Sequence, residues 1–596
     1  MNSFKPLEFS GLAFFATSVV MLSAVRTGLR SLSTARIPAK FGSVPIAKRV
    51  TDKVYFGVNP KDKEEYRGDN PMNPPKARED VYSWLRDDKR KDPEVLGYLN
   101  AENSYTEEQL GHLKGLREEL YNEMLSHLKQ TDEDVPHRDG NYLYYSKTQE
   151  GLSYKIHCRK PLDSNVETVV IDENKLAEGH EYSDLQTFSM SPSHNLVAYA
   201  IDHSGYETYD LHVINNIETG AESSDLIQEI DGSMTWGGDD STLFYLKMDE
   251  EHRPYKLFMH ILGTPQEEDI CLFTEEDGKF WMQASKSADD KFLILNTESK
   301  ETSEIYVLSL DNLKGGKAHL HAANNLICIQ KREFGIRYNI EHHEGSFYMI
   351  TNQDNAKNNK LMISNVFDYY NTDNMIPLTN PFPQYKDVKL YNSIQQIDEI
   401  QPFKKFIVVF GRENGIQRVW VINKNSNSNL YNQWNTINFN EISYSVWCSD
   451  NYIYDSDIVR LGYSSLLTPK QVIDYNMMTN HMEILKQTEV PEYNINQYES
   501  KRIYATVRDN KKVPLQIIYN KKVLNNNNEL YKCPVLLYGY GSYGACIDPT
   551  FDFKRTALLD RGVVYVIANI RGKGDILLYK FLVLYGVFIG VFDGIE

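Results

Sequence analysis

The sequence is poor in clustered basic charge. Its 596 residues carry 64 Lys and Arg against 82 Asp and Glu, which gives a net charge of -18. A protein that binds a nucleic-acid backbone needs Lys and Arg concentrated on one face, and no run in this chain supplies such a stripe. Nucleic acid is therefore excluded as the expected partner, whereas an acidic body tolerates or attracts cationic ligands.

Cysteines are few, and no two of them have the spacing of a paired site. The six lie far apart: Cys158, Cys271, Cys328, Cys448, Cys533 and Cys546. Without a C-x-x-C pair, the sequence predicts reduced thiols rather than a disulfide framework or a zinc site. The phosphate-binding pattern G-x-x-x-x-G-K is also missing. We expect neither a metal nor a cofactor.

Two polar clusters contain the residue types of a metal or catalytic site without the required spacing. Glu341 to Glu344 reads Glu-His-His-Glu, which lacks the i, i+4 histidine spacing of a helical zinc site, and it precedes a predicted strand. We expect it to form a solvated turn. His252 and Arg253 follow an acidic run and are expected to pack within a sheet.

Apolar runs long enough to cross a membrane are absent. Residues 11–25 are about fifteen apolar or small residues, and residues 576–592 are apolar with only Lys580 charged. Both are short for a membrane span, which takes about 20 residues. Membrane association is therefore not the first expectation, although either segment leaves open a membrane-tethered adaptor.

The first fifty residues differ in composition from the rest of the chain. They are rich in Ser, Ala and Leu and contain one acid, Glu8, against seven basic residues: Lys5, Arg26, Arg30, Arg36, Lys40, Lys48 and Arg49. This composition is typical of an organellar transit peptide and predicts a mitochondrial address. Two alternatives stay open, a cytoplasmic protein with an inconsequential leader and a secretory or membrane-anchored protein that uses residues 11–25.

Residues 51–135 show helical signals. Asp92-Pro93-Glu94 places a cap and a first-turn proline before an apolar run, and Thr106-x-x-Gln109 resembles a second capping box. The apolar spacing of three and four between Leu113 and Leu128 predicts one buried helix face. We interpret it as a packing surface rather than a coiled coil.

The helical period vanishes in residues 136–499, and short strands recur instead. Seven turns, 46 to 59 residues apart, each precede an apolar strand: Asp139-Gly140, Ser193, Asp239, Asp289, Glu344-Gly345, Phe403-Lys404 and Asp450-Asn451. The strand predicted after the last turn is Tyr452–Tyr454. Regular repetition of several strands predicts a seven-bladed β-propeller, while a pair of β-sandwiches is the competing architecture.

Beyond residue 500 the chain returns to strand and turn signals of another kind. Residues 534–544 form an apolar run that enters a glycine-rich turn, and residues 562–572 repeat that arrangement. Two such strands predict the start of an α/β sheet over residues 500–575. Residues 576–596 form an atypical apolar tail.

Four motifs in this order resemble the prolyl oligopeptidase family of serine peptidases. They are Asp80–Asp88, Tyr98–Asn103, the acidic run Asp249–Glu251 leading into His252–Tyr255, and Tyr538–Gly544. The run Arg86–Arg90 and the ending Gly541–Gly544 are most similar to oligopeptidase B. The resemblance implies a seven-bladed propeller that limits access by size and an α/β-hydrolase domain completed by the N-terminal helical segment. It also implies cleavage of short peptides by a Ser-Asp-His triad, after Arg or Lys on this branch.

The residues that would form the catalytic site are mostly missing. An α/β-hydrolase carries its nucleophile on a G-x-S-x-G turn, and the sequence contains none. Ser542 lacks the first glycine of that motif, so we interpret it as a turn residue. By its place in the Tyr-Gly-Tyr-Gly turn, Tyr540 matches the family's oxyanion donor. With Ser, Asp and His of the triad expected beyond the C-terminus, we expect this chain to be inactive.

Three hypotheses about function therefore stay open. The first is an incomplete version of a serine oligopeptidase, the second is a catalytically dead propeller that binds peptides, and the third is the membrane-tethered adaptor. The first fits the resemblance. It predicts short peptides as partners.

Overall fold

The structure, a computed structural model, describes residues 44–62, 71–313, 326–365, 386–387, 395–423, 434–521, 533–540, 546–570 and 586–591. These residues fall into two compact units, divided between Leu125 and Ser126. Among the described residues, no helix combines the length and the apolar composition that a membrane crossing requires.

The smaller unit contains a strand pair followed by two helices. Strands β1 (Lys53–Phe56) and β2 (Lys76–Glu79) pair antiparallel. Helix α1 (Pro93–Leu110) begins as predicted, because the Asp92 carboxylate accepts the backbone N–H of Glu94 at 2.8 Å and caps the first turn.

The second capping box predicted at Thr106 is wrong, since α1 runs through Thr106 without a break. The helix ends at Gly111, where a short 3₁₀ turn (Gly111–Leu113) leads into α2 (Lys114–Ser126). The predicted apolar face is confirmed at Leu120 and Met124, which are fully buried, whereas Leu128 is exposed.

From Asp132 to Gln487 the described residues form six successive antiparallel sheets. The first consists of β3 (Asp132–Glu133), β4 (His137–Asp139), β5 (Tyr142–Thr148), β6 (Ile156–Pro161) and β7 (Thr168–Asp172). A short helix, α3 (Glu173–Leu176), follows it. The second has seven strands, β8 (Asp184–Met190), β9 (Val197–Asp202), β10 (Tyr209–Asn216), β11 (Ala221–Trp236), β12 (Thr242–Met248), β13 (Pro254–Ile261) and β14 (Ile270–Thr274).

Each of the next four sheets has four described strands in chain order. The third and fourth sheets are β15 (Trp281–Lys286), β16 (Phe292–Glu298), β17 (Ser303–Ser309) and β18 (Ile327–Gln330), then β19 (Tyr338–His343), β20 (Ser346–Thr351), β21 (Lys360–Asn365) and β22 (Lys386–Asp387). The fifth and sixth are β23 (Gln395–Pro402), β24 (Phe406–Glu413), β25 (Ile416–Asn423) and β26 (Trp434–Ile437), then β27 (Tyr444–Cys448), β28 (Ile458–Ser465), β29 (Gln471–Asn476) and β30 (His481–Gln487).

The seven-stranded sheet covers two of the repeats predicted from the sequence. Its long strand β11 pairs with β10 over its first half and with β12 over its second half. Gly232 lies where the strand passes from one partner to the other, at a positive φ of 90°. A Cβ atom at this position would collide with Gln186 and Tyr209, so glycine is required for the close approach.

Strand β24 shows why these sheets stack. Its run Phe406–Phe410 is apolar at every position, and successive side chains of a strand point to opposite faces. Phe406 and Val408 pack in an apolar cluster with residues of β27 to β29. Ile407 and Val409 pack in another cluster with residues of β20 and β21. The sheet of β23 to β26 is therefore buried on both faces by its neighbours.

The first and last of the six sheets meet through polar contacts. The Lys486 ammonium of β30 lies 2.7 Å from the Asp132 carboxylate of β3. The Arg460 guanidinium of β28 donates a hydrogen bond to the carbonyl oxygen of Pro136 at 2.8 Å. These contacts close the succession of sheets into a ring, which is the arrangement of a β-propeller.

The prediction of a last strand at Tyr452–Tyr454 is wrong. These residues form a loop, and the strand that pairs with β27 and β29 is β28, which starts at Ile458. The side-chain amide of Asn451 stabilises the turn before this loop, because it donates hydrogen bonds to the carbonyl oxygens of Ser449 and Arg460. Within this loop, the Tyr454 hydroxyl forms a hydrogen bond with the Nδ1 atom of His343.

A five-stranded sheet follows the propeller, with the order β31-β32-β34-β33-β35. Its strands are β31 (Tyr498–Thr506), β32 (Lys512–Asn520), β33 (Pro534–Gly539), β34 (Val564–Ala568) and β35 (Gly586–Val591), and a short helix α4 (Thr556–Leu559) precedes β34. β33 and β34 run parallel, whereas β35 pairs with β33 antiparallel. Of the apolar tail, residues 576–585 and 592–596 lie outside the described residues.

Close packing at Gly411 of β24 generates a prediction about stability. A Cβ atom there would overlap the backbone carbonyl oxygen of Gln396, which cannot move without disturbing β23. We expect Gly411→Ala to lower the free energy of unfolding by about 1–3 kcal/mol. The matched control is Gly278→Ala, because a Cβ at Gly278 meets open space. Equal midpoints of thermal unfolding for the two variants, measured by circular dichroism, would contradict this packing.

Candidate functional site at the carboxyl edge of the five-stranded sheet

Two parallel strands end side by side in the five-stranded sheet. Gly539, the last residue of β33, is paired with Ala568, the last residue of β34. Tyr540 and Asn569 therefore leave the sheet together. In open α/β sheets, ligands bind in the crevice outside the carboxyl ends of the strands. We call Tyr540, Asn569 and the segment Cys546–Asp548 the carboxyl edge.

Asn569 organises this edge through four hydrogen bonds. Its backbone N–H donates to the carbonyl oxygen of Pro514 at 3.0 Å. Its side-chain amide donates to the carbonyl oxygen of Ile547 at 2.9 Å and to the Cys546 Sγ at 3.2 Å, and accepts from the Gln516 amide at 3.3 Å. Cys546 and Ile547 are thereby held against the end of β34.

The carboxyl edge is also bonded to the propeller. The Asp548 carboxylate accepts from the Arg412 guanidinium at 2.9 Å and from the Gln417 amide at 3.2 Å. The Arg412 side chain is mostly buried. Burial alone would lower the pKa of Arg412, but the Asp548 carboxylate outweighs it and raises the pKa. The Arg412 guanidinium therefore keeps its positive charge beside Asp548.

Two further hydrogen bonds join the same two parts of the molecule. The Ser443 hydroxyl, just before β27, donates to the Gln516 amide oxygen at 2.6 Å. The Phe551 backbone N–H donates to the Ser464 hydroxyl of β28 at 2.9 Å. Three separate segments of the propeller therefore contact the five-stranded sheet or the loop that follows the carboxyl edge.

Family resemblance predicts the role of oxyanion donor for Tyr540. It directly follows β33 and is partly buried at the carboxyl edge. A tyrosine hydroxyl can donate a hydrogen bond to an oxyanion that develops in front of it. Ser542, interpreted as a turn residue, lies outside the described residues.

The cluster Glu341 to Glu344 is not the solvated turn that the sequence predicts. Glu341, His342 and His343 belong to β19, and both histidines are buried. The His342 Nδ1 atom lies 2.7 Å from the Asp289 carboxylate. The expectation failed because the sheets of a propeller are covered on both faces, so a polar strand residue can still be internal. Glu344 alone lies in the turn after the strand.

Arg253 packs within its sheet, as predicted. The buried guanidinium donates to the Asp249 carboxylate at 2.8 Å and to the carbonyl oxygen of Phe280 at 2.9 Å. The same expectation is wrong for His252, because it lies exposed in the turn that precedes β13, with a positive φ of 59°. Arg253 thereby holds the acidic turn against the start of the next sheet.

The cysteines are all free thiols. Burial raises the pKa of Cys158 to about 11 and that of Cys448 to about 12. Because the thiolate is the nucleophile, these side chains are unreactive at neutral pH. Within the described ranges, His, Cys, Asp and Glu side chains form no group of three or more that could hold a metal ion.

Sequence reasoning missed the residues that hold the carboxyl edge in place. Asn569 is the residue after the second apolar strand, and parallel pairing of the two predicted strands would have placed it beside Tyr540. The partners Arg412 and Asp548 carry no such signal, because 135 residues separate them in the sequence.

Comparison with known proteins identifies the propeller. The family model described as prolyl oligopeptidase, N-terminal beta-propeller domain, matches residues 62–488. Dipeptidyl aminopeptidase BI of Pseudoxanthomonas mexicana is 32% identical over 513 residues, which are 83% of this chain and 66% of that protein. Protease 2 of Moraxella lacunata is 32% identical over 541 residues, which are 89% of this chain and 71% of that protein.

Solved structures show the same likeness. Oligopeptidase B from Trypanosoma brucei, with covalently bound antipain, is 34% identical with a TM-score of 0.78, over 89% of this chain and 72% of that one. Oligopeptidase B from Leishmania major is 31% identical with the same TM-score and coverage. This chain spans about two thirds to three quarters of the length of these relatives. On this evidence the chain belongs to the prolyl oligopeptidase family, with the oligopeptidase B and protease 2 type among its similar members.

Proposed function

We propose that the chain is part of a serine oligopeptidase that cleaves short peptides after Arg or Lys. One structural observation carries the proposal: the carboxyl edge, with Tyr540, is bonded to the propeller through Asp548 and Arg412. A peptide bound at that edge would lie between the sheet and the propeller. The preference for basic residues rests on the likeness to oligopeptidase B alone.

In this proposal the propeller has seven blades and an α/β-hydrolase domain follows it. The first, third, fourth, fifth and sixth sheets count as one blade each and the seven-stranded sheet counts as two, which makes a seven-bladed propeller. The order β31-β32-β34-β33, with β33 and β34 parallel, supports an α/β-hydrolase domain that begins at about residue 500. By family resemblance, residues 51–135 complete that domain.

In this proposal Tyr540 stabilises the oxyanion of the tetrahedral intermediate. A single donor of this kind contributes a factor of about 10²–10³ to kcat. The nucleophile itself is a serine on a G-x-S-x-G turn, and these 596 residues contain no such turn. We infer that the 596-residue polypeptide binds peptides without hydrolysing them.

The first test measures hydrolysis by the 596-residue polypeptide itself. We expect no cleavage of a fluorogenic Arg-containing peptide above the buffer rate, with protease 2 of Moraxella lacunata as the positive control. Cleavage that a serine-directed inhibitor abolishes would show a nucleophile outside the expected motif and would contradict the inference.

A chimera tests the catalytic role of Tyr540. The segment of protease 2 that carries its catalytic serine would be joined after residue 570, and the chimera is expected to cleave Arg-containing peptides. Tyr540→Phe should then lower kcat by a factor of about 10²–10³ with little change in KM. Tyr504→Phe is the matched control, because Tyr504 is exposed on β31 of the same sheet. An unchanged kcat for Tyr540→Phe would overturn the oxyanion role.

The ion pair between sheet and propeller gives a separate prediction. Asp548→Asn removes the nearer counter-charge of the mostly buried Arg412 and leaves only the Asp398 carboxylate, 3.9 Å away, so it is expected to cost about 1–3 kcal/mol. Faster hydrogen exchange of β33 and β34 would report the loss. The control is Glu499→Gln, because the pair of Glu499 with Lys501 is exposed and is expected to contribute less than about 1 kcal/mol. Equal exchange rates in the two variants would show that the ion pair does not hold the sheet.

We also propose that residues 1–50 direct the protein to mitochondria, on the basis of their composition. A fusion of residues 1–50 to a fluorescent protein should be imported into mitochondria. Replacing Arg26, Arg30 and Arg36 with Gln should abolish import because the positive charge drives it. Delivery of the unaltered fusion to the secretory pathway would favour the signal-anchor alternative.

A further inference from the structure

The inner strands of the propeller enclose a cavity of about 620 Å³. It is lined by β8, by the second half of β11, and by β15 and β19, which are the first strands of four successive repeats. Residues of β16 and β17 complete the wall. The cavity therefore lies in the central channel of the ring, a place distinct from the carboxyl edge.

The lining is polar and acidic. Two carboxylates reach it from different sheets, Asp231 from β11 and Glu341 from β19. The side-chain amides of Gln186, Gln283 and Asn339 also line it. None of the described residues that line the cavity is Lys, Arg or His. The two acids have no cationic side chain beside them in the cavity wall.

Glu341 is held in place with one oxygen unused. Its Oε1 atom accepts the backbone N–H of Ala288 at 3.0 Å and that of His342 at 2.9 Å. No described residue donates a hydrogen bond to its Oε2 atom. Asp231 is similarly fixed, because its Oδ1 atom accepts both the backbone N–H and the hydroxyl of Ser233.

Another acceptor in the wall lacks a partner. The side-chain oxygen of Asn296 is buried, and no described residue donates to it. A buried acceptor without a donor is costly, so native structures rarely keep one without a reason. The cavity thus offers more acceptors than its own donors satisfy.

The carboxyls lie in an environment that disfavours their charge. Burial raises the pKa of Glu341 to about 7, and burial also raises the pKa of Asp231. The nearby Asp289 carboxylate raises the pKa of Glu341 further, although Asp289 is itself hydrogen-bonded to His342. A cation entering the cavity would supply the missing counter-charge.

We propose that this channel cavity binds the guanidinium or ammonium group of a basic residue in a short peptide, with Glu341 as the principal counter-ion and Asp231 as the second. A guanidinium carries five N–H donors and no acceptor, which suits a wall with unsatisfied acceptors. The volume is in the range of sites that hold small ligands. The assignment rests on the proposed function for its peptide substrate, and it places a second recognition site for basic residues away from the carboxyl edge.

The test uses the 596-residue protein and a pair of peptides. Binding of acetyl-Ala-Arg-Ala-amide is measured by isothermal titration calorimetry at pH 8, beside the same peptide with neutral citrulline in place of Arg. We expect the Arg peptide to bind at least about tenfold more tightly, as charge-assisted hydrogen bonds require. Agmatine, which has the guanidinium without the peptide, distinguishes recognition of the cation alone from recognition of the peptide.

Two substitutions locate the site. Glu341→Gln keeps the Oε1 acceptor for Ala288 and His342 but removes the charge, and it should weaken binding of the Arg peptide about tenfold. Asp231→Asn should weaken it by a smaller factor. The matched control is Glu276→Gln, which makes the same change of charge at an exposed residue outside the cavity and should leave affinity unchanged.

The pH dependence provides an independent readout. Glu341 is neutral below a pKa of about 7, so the affinity for the Arg peptide should rise with pH and be about tenfold weaker at pH 6 than at pH 8. The other titratable groups around it are Asp231, Asp289 and His342. In Glu341→Gln the dependence should largely disappear, which assigns it to Glu341 rather than to these neighbours.

The outcomes separate this inference from the proposed function. Equal binding of the Arg and citrulline peptides, no binding of either, or an unchanged affinity in Glu341→Gln would each overturn the channel site. None of these results bears on cleavage by the chimera at the carboxyl edge. Binding of agmatine as tight as that of the Arg peptide would support the cation site and show that the peptide backbone adds nothing to it.

Discussion

The apolar contact between successive sheets is the constraint on which the rest of this structure depends. A four-stranded sheet such as β23 to β26 is apolar on both faces and cannot bury either by itself. Phe406 and Val408 need the following sheet, and Ile407 and Val409 need the preceding one. A succession of such sheets leaves two exposed ends unless it closes, and Lys486 and Arg460 of the last sheet close it onto residues 132–136 of the first.

Ring closure also decides where polar groups can act. Because packing against neighbouring sheets covers the broad faces, polar side chains can contact a ligand only in the central channel and at the turns at the two ends of the ring. Glu341 and Asp231 face the channel, where burial raises the pKa of both. Arg412 and Gln417 lie at one end of the ring, where they bind Asp548 and fix the carboxyl edge over the propeller.

The sequence predicted the parts of the fold that depend on local pattern. Apolar runs such as Phe406–Phe410 and the regular spacing of turns identified the propeller, and the cap at Asp92 identified the start of α1. Predictions failed where a local signal was overridden, as at Thr106, which lies inside a continuous helix, and at Tyr452–Tyr454, an apolar stretch that forms a loop. Tyr540 was predicted as a site residue through family resemblance alone, whereas the Arg412–Asp548 pair and the burial of Glu341 depend on contacts between distant segments and leave no trace in the sequence.

Limited proteolysis followed by native mass spectrometry would test the central claim most directly, namely that the ring is a self-contained body. Because its sheets cover one another and its ends meet, residues from about 132 to 487 should survive as one protected mass after the flanking segments have been removed. Release of single sheets or pairs of sheets at the same rate as the flanking segments would contradict the account.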